Sequence, residues 1–228
     1  MNDQRHSQAE NASLITDEVQ RAAREAENAI RQFDRVLDII EAVHRDRRPF
    51  RLRNSIIQDL HRVALDGLSL YAGNWRPGSI IIGQSKHTPP PAHLVAGLME
   101  EMCDWVNGQW SEKTPIQLSS YVMWRLNWIH PFDDGNGRTS RAVAYLVLCA
   151  AAGTRFPGRV TIPELIASNK QPYYDALEAA DASEANGQLS LEAMESLLEA
   201  CLAKQLTDAF EAASGRQAED QDKNRRFH

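Results

Sequence analysis

The residues best suited to chemistry fall in one run, HPFDDGNGRTSR, from His130 to Arg141. Pro131 disfavours helical backbone at the residue before it, so a helix arriving there should end at His130. That puts the imidazole at a helix terminus facing a loop. With an ordinary pKa of ~6.5, it suits removal of a proton from an attacking hydroxyl near neutral pH. Gly135 and Gly137 flank Asn136 and permit backbone that turns successive N–H groups into one concavity, an anion nest. A helix expected from about Thr139 aims its positive end at the same place, a ready phosphate site. Arg138 and Arg141 are three apart, so they share a face of the first turn and suit phosphate oxygens. Asp134 is a hard oxygen ligand beside them, suited to Mg²⁺ bridging phosphates. The direction of Asp133 is not fixed by spacing. Base, nest, metal carboxylate and paired arginines together point to phosphoryl or nucleotidyl transfer, where catalysis is mainly positioning and charge stabilisation. A GxxxxGK(S/T) loop is absent, so this is not the P-loop solution.

The elements that must position this run read as helices. Apolar residues recur at three-to-four spacing from Thr16 or Asp17 through Ile40, over about Asn54–Leu70, from Val95 to Val106, and from Leu118 to Ile129. An apolar helix, Ala142–Ala152, follows Arg141. Further helices are expected over about Glu164–Ala180 and from near Ser190. The charged stretch 44–50 is a break ended by Pro49. One β signal stands out. Residues 73–91 carry Gly73, Gly78, Gly83 and Pro89–Pro91 around Ile80, Ile81 and Ile82, which predicts a short hairpin and loop. The expected class is all-α with one small β-hairpin.

The chain has 228 residues, with 25 Lys+Arg against 31 Asp+Glu and a net charge of -6. That length fits one domain with an accessory segment. The acidity argues against a general nucleic-acid binder. The longest apolar run, Ala142–Ala152, has 11 residues, short of the ~20 that span a bilayer, so no membrane partner is expected. The N-terminus is polar, without the apolar core of a signal peptide. Cys103, Cys149 and Cys201 are odd in number and far apart, as for thiols in a reducing compartment. A cytoplasmic protein is expected, and an effector exported without a cleaved signal has the same composition. Asp181–Glu192 has the length of an EF-hand loop, but Ala185 and Asn186 stand where a ligand and Gly are needed. His61, His87, His93 and Trp105, Trp124 and Trp128 read as packing or loop residues, and Tyr173 and Tyr174 as core residues that border the pocket at most.

HPFDDGNGR with Arg141 resembles the Fic-domain signature HPFx(D/E)GNGRxxR at every specified position. Leu60-His61, the run Ala72 to Arg76, the isoleucines, Pro89–Pro91, Asn169-Lys170 and Tyr173 to Leu177 extend the resemblance over about residues 50–205. It implies a Fic-type helical bundle over 50–205, an accessory helical segment over 14–49, a disordered tail over 1–13, and a helix end and polar tail over 206–228. Fic proteins mostly transfer AMP from ATP to a Ser, Thr or Tyr hydroxyl of a protein and release pyrophosphate. The resemblance makes His130 the base, Phe132 the residue packing the loop, and Asp134 the holder of Mg²⁺ on the α- and β-phosphates. Gly135, Asn136 and Gly137 would cradle the phosphates, Arg138 would contact the outer ones, and Arg141 would pair with the γ-phosphate. Gly137 and Arg138 favour AMP transfer over the kinase-like Doc branch. Other nucleotide or phospho-group transfer, AMP removal and a catalytically silent binding module are the alternatives. The resemblance also implies a flap, about Pro77–His87, that docks a protein target along Ser79, Ile80, Ile81 and Ile82 by strand addition. The same isoleucines would also serve simply to pack on the helices. An inhibitory helix in this family has the pattern (S/T)xxxE(G/N). Glu27-Asn28 fits its end, while Ala23 departs from its start. Glu27 is then expected to pair with Arg141, with restraint by a separate antitoxin protein as the alternative.

Overall fold

The computed structural model describes residues 7–8, 14–46, 49–83 and 85–226. Its architecture is all-α. Eight α-helices occur among the described residues: α1 (Glu18–Asp46), α2 (Asn54–Ala64), α3 (Val95–Gly108), α4 (Pro115–Ile129), α5 (Asn136–Ala152), α6 (Ile162–Ser168), α7 (Gln171–Ala185) and α8 (Glu192–Arg226). Two two-residue strands, β1 (Ser7–Gln8) and β2 (Ile81–Ile82), pair antiparallel. The tail expected over 1–13 lies outside the described residues apart from Ser7 and Gln8, as do the last two residues of the chain.

Local chemistry explains where the helices begin. Asp17 accepts the Gln20 N–H at 2.8 Å at the start of α1. Thr114 and Gln117 cap each other reciprocally at the start of α4, where Pro115 opens the first turn. Thr161 and Glu164 repeat the arrangement on α6. Each pairing satisfies donors that the first turn of a helix leaves without partners.

Helix α5 is the axis of the bundle. Ala142 through Cys149 are all buried, because neighbours cover it on every side. α4 is its most intimate partner, and α1, α2 and α6 also pack on it. Trp124, Tyr145, Phe132 and Tyr173 are among the largest fully buried side chains. The 11-residue apolar run therefore belongs to a helix apolar all round, as burial on all sides requires. α1 lies across α2 and α5 through Asn28, Gln32, Val36 and Ile40, its buried face.

The end of α2, the α6–α7 region and the isoleucine segment differ from the sequence reading. α2 ends at Ala64 and not near Leu70. Leu65 leaves helical geometry there, and Gly67 is left-handed (φ 71°). The helix expected over Glu164–Ala180 is two, α6 and α7, broken at Asn169-Lys170 with Pro172 in the new first turn. The hairpin is not formed among the described residues. β2 pairs instead with β1, Ser7 opposite Ile82 and Gln8 opposite Ile81. The returning arm holds Pro89–Pro91, which have no N–H to donate to a ladder.

Asn28 joins the accessory helix to the domain. Its side-chain amide is fully buried and donates to the carbonyls of Ala64 (3.3 Å) and Asp66 (2.8 Å) at the end of α2. Asn28→Ala removes the donor from both carbonyls and should cost ~1–3 kcal/mol. Urea unfolding checks this: the midpoint should fall with unchanged slope, and an unchanged midpoint would show that this contact does not hold α1 in place.

Candidate active site

The site begins with the backbone of His130. α4 ends at Ile129, and His130 N–H still reaches Leu126 O at 2.9 Å. His130 itself is left-handed (φ 51°, ψ 59°), the one non-glycine residue with positive φ among those described. Such backbone is costly for a residue bearing a Cβ and persists only where neighbours over-determine it. Nδ1 of His130 lies 3.1 Å from Asn127 O. A carbonyl only accepts, so Nδ1 carries the proton and Nε2 keeps its lone pair, the form a general base needs.

The following loop is pinned from both sides. Asn136 accepts the Phe132 N–H (3.0 Å) through Oδ1 and donates to Phe132 O (2.8 Å) through Nδ2. Phe132 is fully buried and stacks on the His61 ring at 3.6 Å with 4° between planes. His61 Nδ1 accepts the Gly73 N–H at 2.9 Å, so its Nε2 carries the proton and donates to Asp134 O at 2.9 Å. Asp133 points into the protein, accepting from Ser69 Oγ (3.0 Å) and from the Asp134 N–H (3.0 Å). Gly135 is left-handed (φ 75°), and a Cβ there would lie 2.4 Å from the Leu65 side chain. Only glycine fits.

α5 starts at Asn136, not near Thr139, because Gly135 alone supplies the turn and Gly137 is already helical. The backbone N–H groups of Asn136, Gly137 and Arg138 therefore form a first helical turn, where donors have no intrahelical partner. The Asn136 side chain is committed to Phe132, so what this residue can offer an anion is its N–H. Arg138 lies 3.6 Å from Asp134 and 3.9 Å from Glu25 of α1. Arg141 is half-buried, 6.0 Å from the centre of the Tyr173 ring. Asp134 accepts the Gly135 N–H at 2.6 Å through Oδ1, while its Oδ2 faces Arg21 of α1 (3.3 Å) as well as Arg138.

Glu27 does not meet Arg141. Its side chain is 58% exposed and sits 3.7 Å from Arg24, and it does not line the cavity. Glu18, Arg21, Ala22 and Glu25 are the α1 residues that do. Successive helix residues turn by about 100°, so Glu27 projects nearly opposite Glu25. The α1 carboxylate at the motif is thus Glu25, and its partner is Arg138.

These groups border a cavity of about 830 Å³ that also receives Ile82, His87, Trp128, Lys170 and Tyr174. Ile80 and Ile82 are buried while Ile81 is 71% exposed, the alternation of a strand. Ser79 is exposed beside them. Asn127 and Arg76 carry more of the site than their sequence context suggested. Asn127 accepts from His130 and donates to the Tyr173 hydroxyl at 2.7 Å, and its place three residues before His130 was the available signal. No group of three or more metal-ligating side chains occurs among the described residues. A single carboxylate beside an anion site is nevertheless how Mg²⁺ is held when substrate phosphates complete its shell, and Asp134 fits that role.

Residues 51–148 match the Fic/DOC family. These residues are a Fic domain. The protein adenylyltransferase Fic of Drosophila willistoni is 33% identical over 127 residues, 55% of this chain and 24% of that protein. The Drosophila persimilis protein of the same name is 33% identical and covered over 23% of its length. The chain thus spans about a quarter of the curated relatives it matches. Among solved structures, a Fic domain containing signaling protein from Bacteroides thetaiotaomicron superposes with a TM-score of 0.65 at 23% identity, over 91% of this chain and 76% of that one. Fic-1 from C. elegans gives 0.65 at 20% identity, over 84% and 53%. Both likenesses concern the fold. Among the described residues, no helix is long and apolar enough to cross a membrane.

Burial sets the protonation of this Fic domain. It pushes the His130 imidazole down to about 4, with Arg76 and His87 adding to the effect and the Asn127 carbonyl and Asp134 opposing it. His61 is likewise pushed down to about 4 by burial. Burial raises the Asp133 carboxyl above the usual range. His130 is therefore neutral well below neutral pH, and a polyphosphate beside it would draw its pKa upward.

Both imidazoles stay neutral in the fold to about pH 4, whereas unfolded histidines protonate near 6.5. Between these values the unfolded chain binds more protons. The contribution is therefore complete above pH 6.5 and is lost as pH falls towards 4, on the order of 3 kcal/mol for each histidine. Urea unfolding at pH 7.5 and 5.0 should show a marked loss of stability in wild type and a smaller loss in His61→Gln, which keeps a donor and an acceptor but does not titrate. Equal losses would exclude His61 as a source of the pH dependence.

Proposed function

We propose that this protein is a Mg²⁺-dependent protein adenylyltransferase that moves AMP from ATP to a Ser, Thr or Tyr hydroxyl of a protein. The observation that carries the reading is the convergence of His130, the first turn of α5, Asp134 and Arg141 on one cavity. The curated relatives named protein adenylyltransferase support it.

In this reading the triphosphate lies across the N–H groups of Asn136, Gly137 and Arg138, with Arg138 and Arg141 on the outer phosphates. Asp134 is the residue that would hold Mg²⁺, which when bound supplies charge neutralisation between phosphates. The target hydroxyl gives its proton to His130 Nε2 while its oxygen attacks the α-phosphorus. The bond to the oxygen bridging towards the β-phosphate breaks, and pyrophosphate leaves. Positive charge and aligned N–H groups at the phosphates lower the barrier most, and the base adds about 10²–10⁴ in rate. The target docks along the flap by adding a strand. The pairing of β2 with Ser7–Gln8 supports this in that the edge is able to hold an antiparallel partner, one that a target strand would replace. Removal of AMP is the second reading. It is favoured by Glu25, whose carboxylate borders the cavity where it could orient a water.

Incubation of a host-cell lysate with α-³²P-ATP and with γ-³²P-ATP distinguishes the chemistries. Protein label is expected from the α- and not the γ-phosphate, falling on the order of 10²–10⁴-fold in His130→Ala. Label from the γ-phosphate would make the protein a kinase. Loss of AMP from a premodified protein that requires Glu25 would favour removal.

A further inference from the structure

Among the described residues, Arg76 is a buried cation without an anion. Its side chain belongs to a residue only 4% exposed, and among the described residues no carboxylate lies within ion-pair reach of it. Its guanidinium donates to three backbone carbonyls instead. Nε reaches His130 O at 2.8 Å, one terminal nitrogen reaches Gly78 O at 2.7 Å, and the other reaches Pro90 O. Its own backbone N–H donates to Pro131 O at 2.8 Å. A desolvated charge is costly unless its donors are fully used, and the planar fork of arginine permits three such bonds in fixed directions.

The three carbonyls are not equivalent. Gly78 and Pro90 bracket the flap, with Ser79–Ile82 between them. His130 is the left-handed base, and its carbonyl and that of Pro131 are both held by Arg76. The same guanidinium therefore fixes both ends of the flap and the strained backbone of the base.

We infer that Arg76 is a positioning residue that couples the flap to His130, so that anything seated on the flap and the alignment of the base share one rigid connection. Arg76 is absent from the cavity wall, so its side chain would not reach bound phosphates. Its effect belongs to the transfer step and not to ATP binding. Lysine, a point charge on a flexible stem, cannot keep three divergent bonds in register. This inference rests on the adenylyl-transfer reading.

The test compares wild type, Arg76→Lys and Arg76→Gln in self-labelling with α-³²P-ATP, alongside calorimetric titration of Mg-ATP and thermal unfolding. A displacement of about 1 Å in a reacting group can cost on the order of 10²-fold. The expected result is a loss of that order in kcat for Arg76→Gln and a smaller loss for Arg76→Lys. KM and Kd for Mg-ATP should stay within about twofold. Hydrogen exchange should quicken together in residues 79–89 and 130–135 of both variants, and not in α3. Unchanged kcat in both variants, or exchange that quickens in the flap alone, would overturn the coupling. Loss of Mg-ATP binding in step with thermal stability would show Arg76 to be merely structural. If wild type itself takes no α-label, the transfer reading fails and this inference with it. If wild type labels and the variants label equally, only the inference fails.

Discussion

The left-handed turn at His130 is the constraint on which the rest of the site depends. It ends α4, reverses the chain through Pro131 and Phe132, and delivers it to Gly135, where α5 begins. Because α4 and α5 are the central pair of the bundle, the turn is built into the core. Its strain is held by identifiable contacts: Asn127 on the ring, Arg76 on the carbonyl, His61 and Asn136 on the loop beyond. On the adenylyl-transfer reading, a loop held by these contacts needs little reorganisation at the moment of reaction.

Charge is distributed to the same end. The chain as a whole is acidic, yet Arg138, Arg141 and Lys170 border one cavity over the positive end of the buried α5. Arg21 and Glu25 of α1 lie among these groups, each paired across to the motif. The accessory helix is thus part of the electrostatics of the cavity, and Asn28 and Gln32 anchor it to α2 a turn or two further on.

Much of this was legible in the sequence where the signal is local. Pro131 marked the end of α4, the glycines marked the start of α5, and the even apolarity of 142–152 marked a helix buried on all sides. The start of α5 was misplaced by three residues because two glycines suggest a longer loop, while only Gly135 takes positive φ. What was not legible depends on distant partners. Nothing within ten residues of Ile81 names Ser7 as the strand it pairs with. Spacing along α1 shows which residues share a face, but not which face meets the domain, so the carboxylate found at the motif is Glu25 and not Glu27. His61 reads as an ordinary helix residue until Phe132 and Asp134, some 70 residues on, are seen against it. Arg76 is only the end of the run Ala72 to Arg76 that carries part of the resemblance until three carbonyls are seen to converge on it.

On the adenylyl-transfer reading, one preset turn holds the base, the metal carboxylate and the anion site in working geometry. A crystal structure with Mg²⁺ and a non-hydrolysable ATP analogue tests it most directly. The expected result is an unchanged left-handed His130, phosphates on the N–H groups of residues 136–138, Mg²⁺ on Asp134, and the α-phosphorus facing the Nε2 side of His130. A nucleotide bound elsewhere, or a loop that must unwind to admit it, would show that the turn does not preset the site.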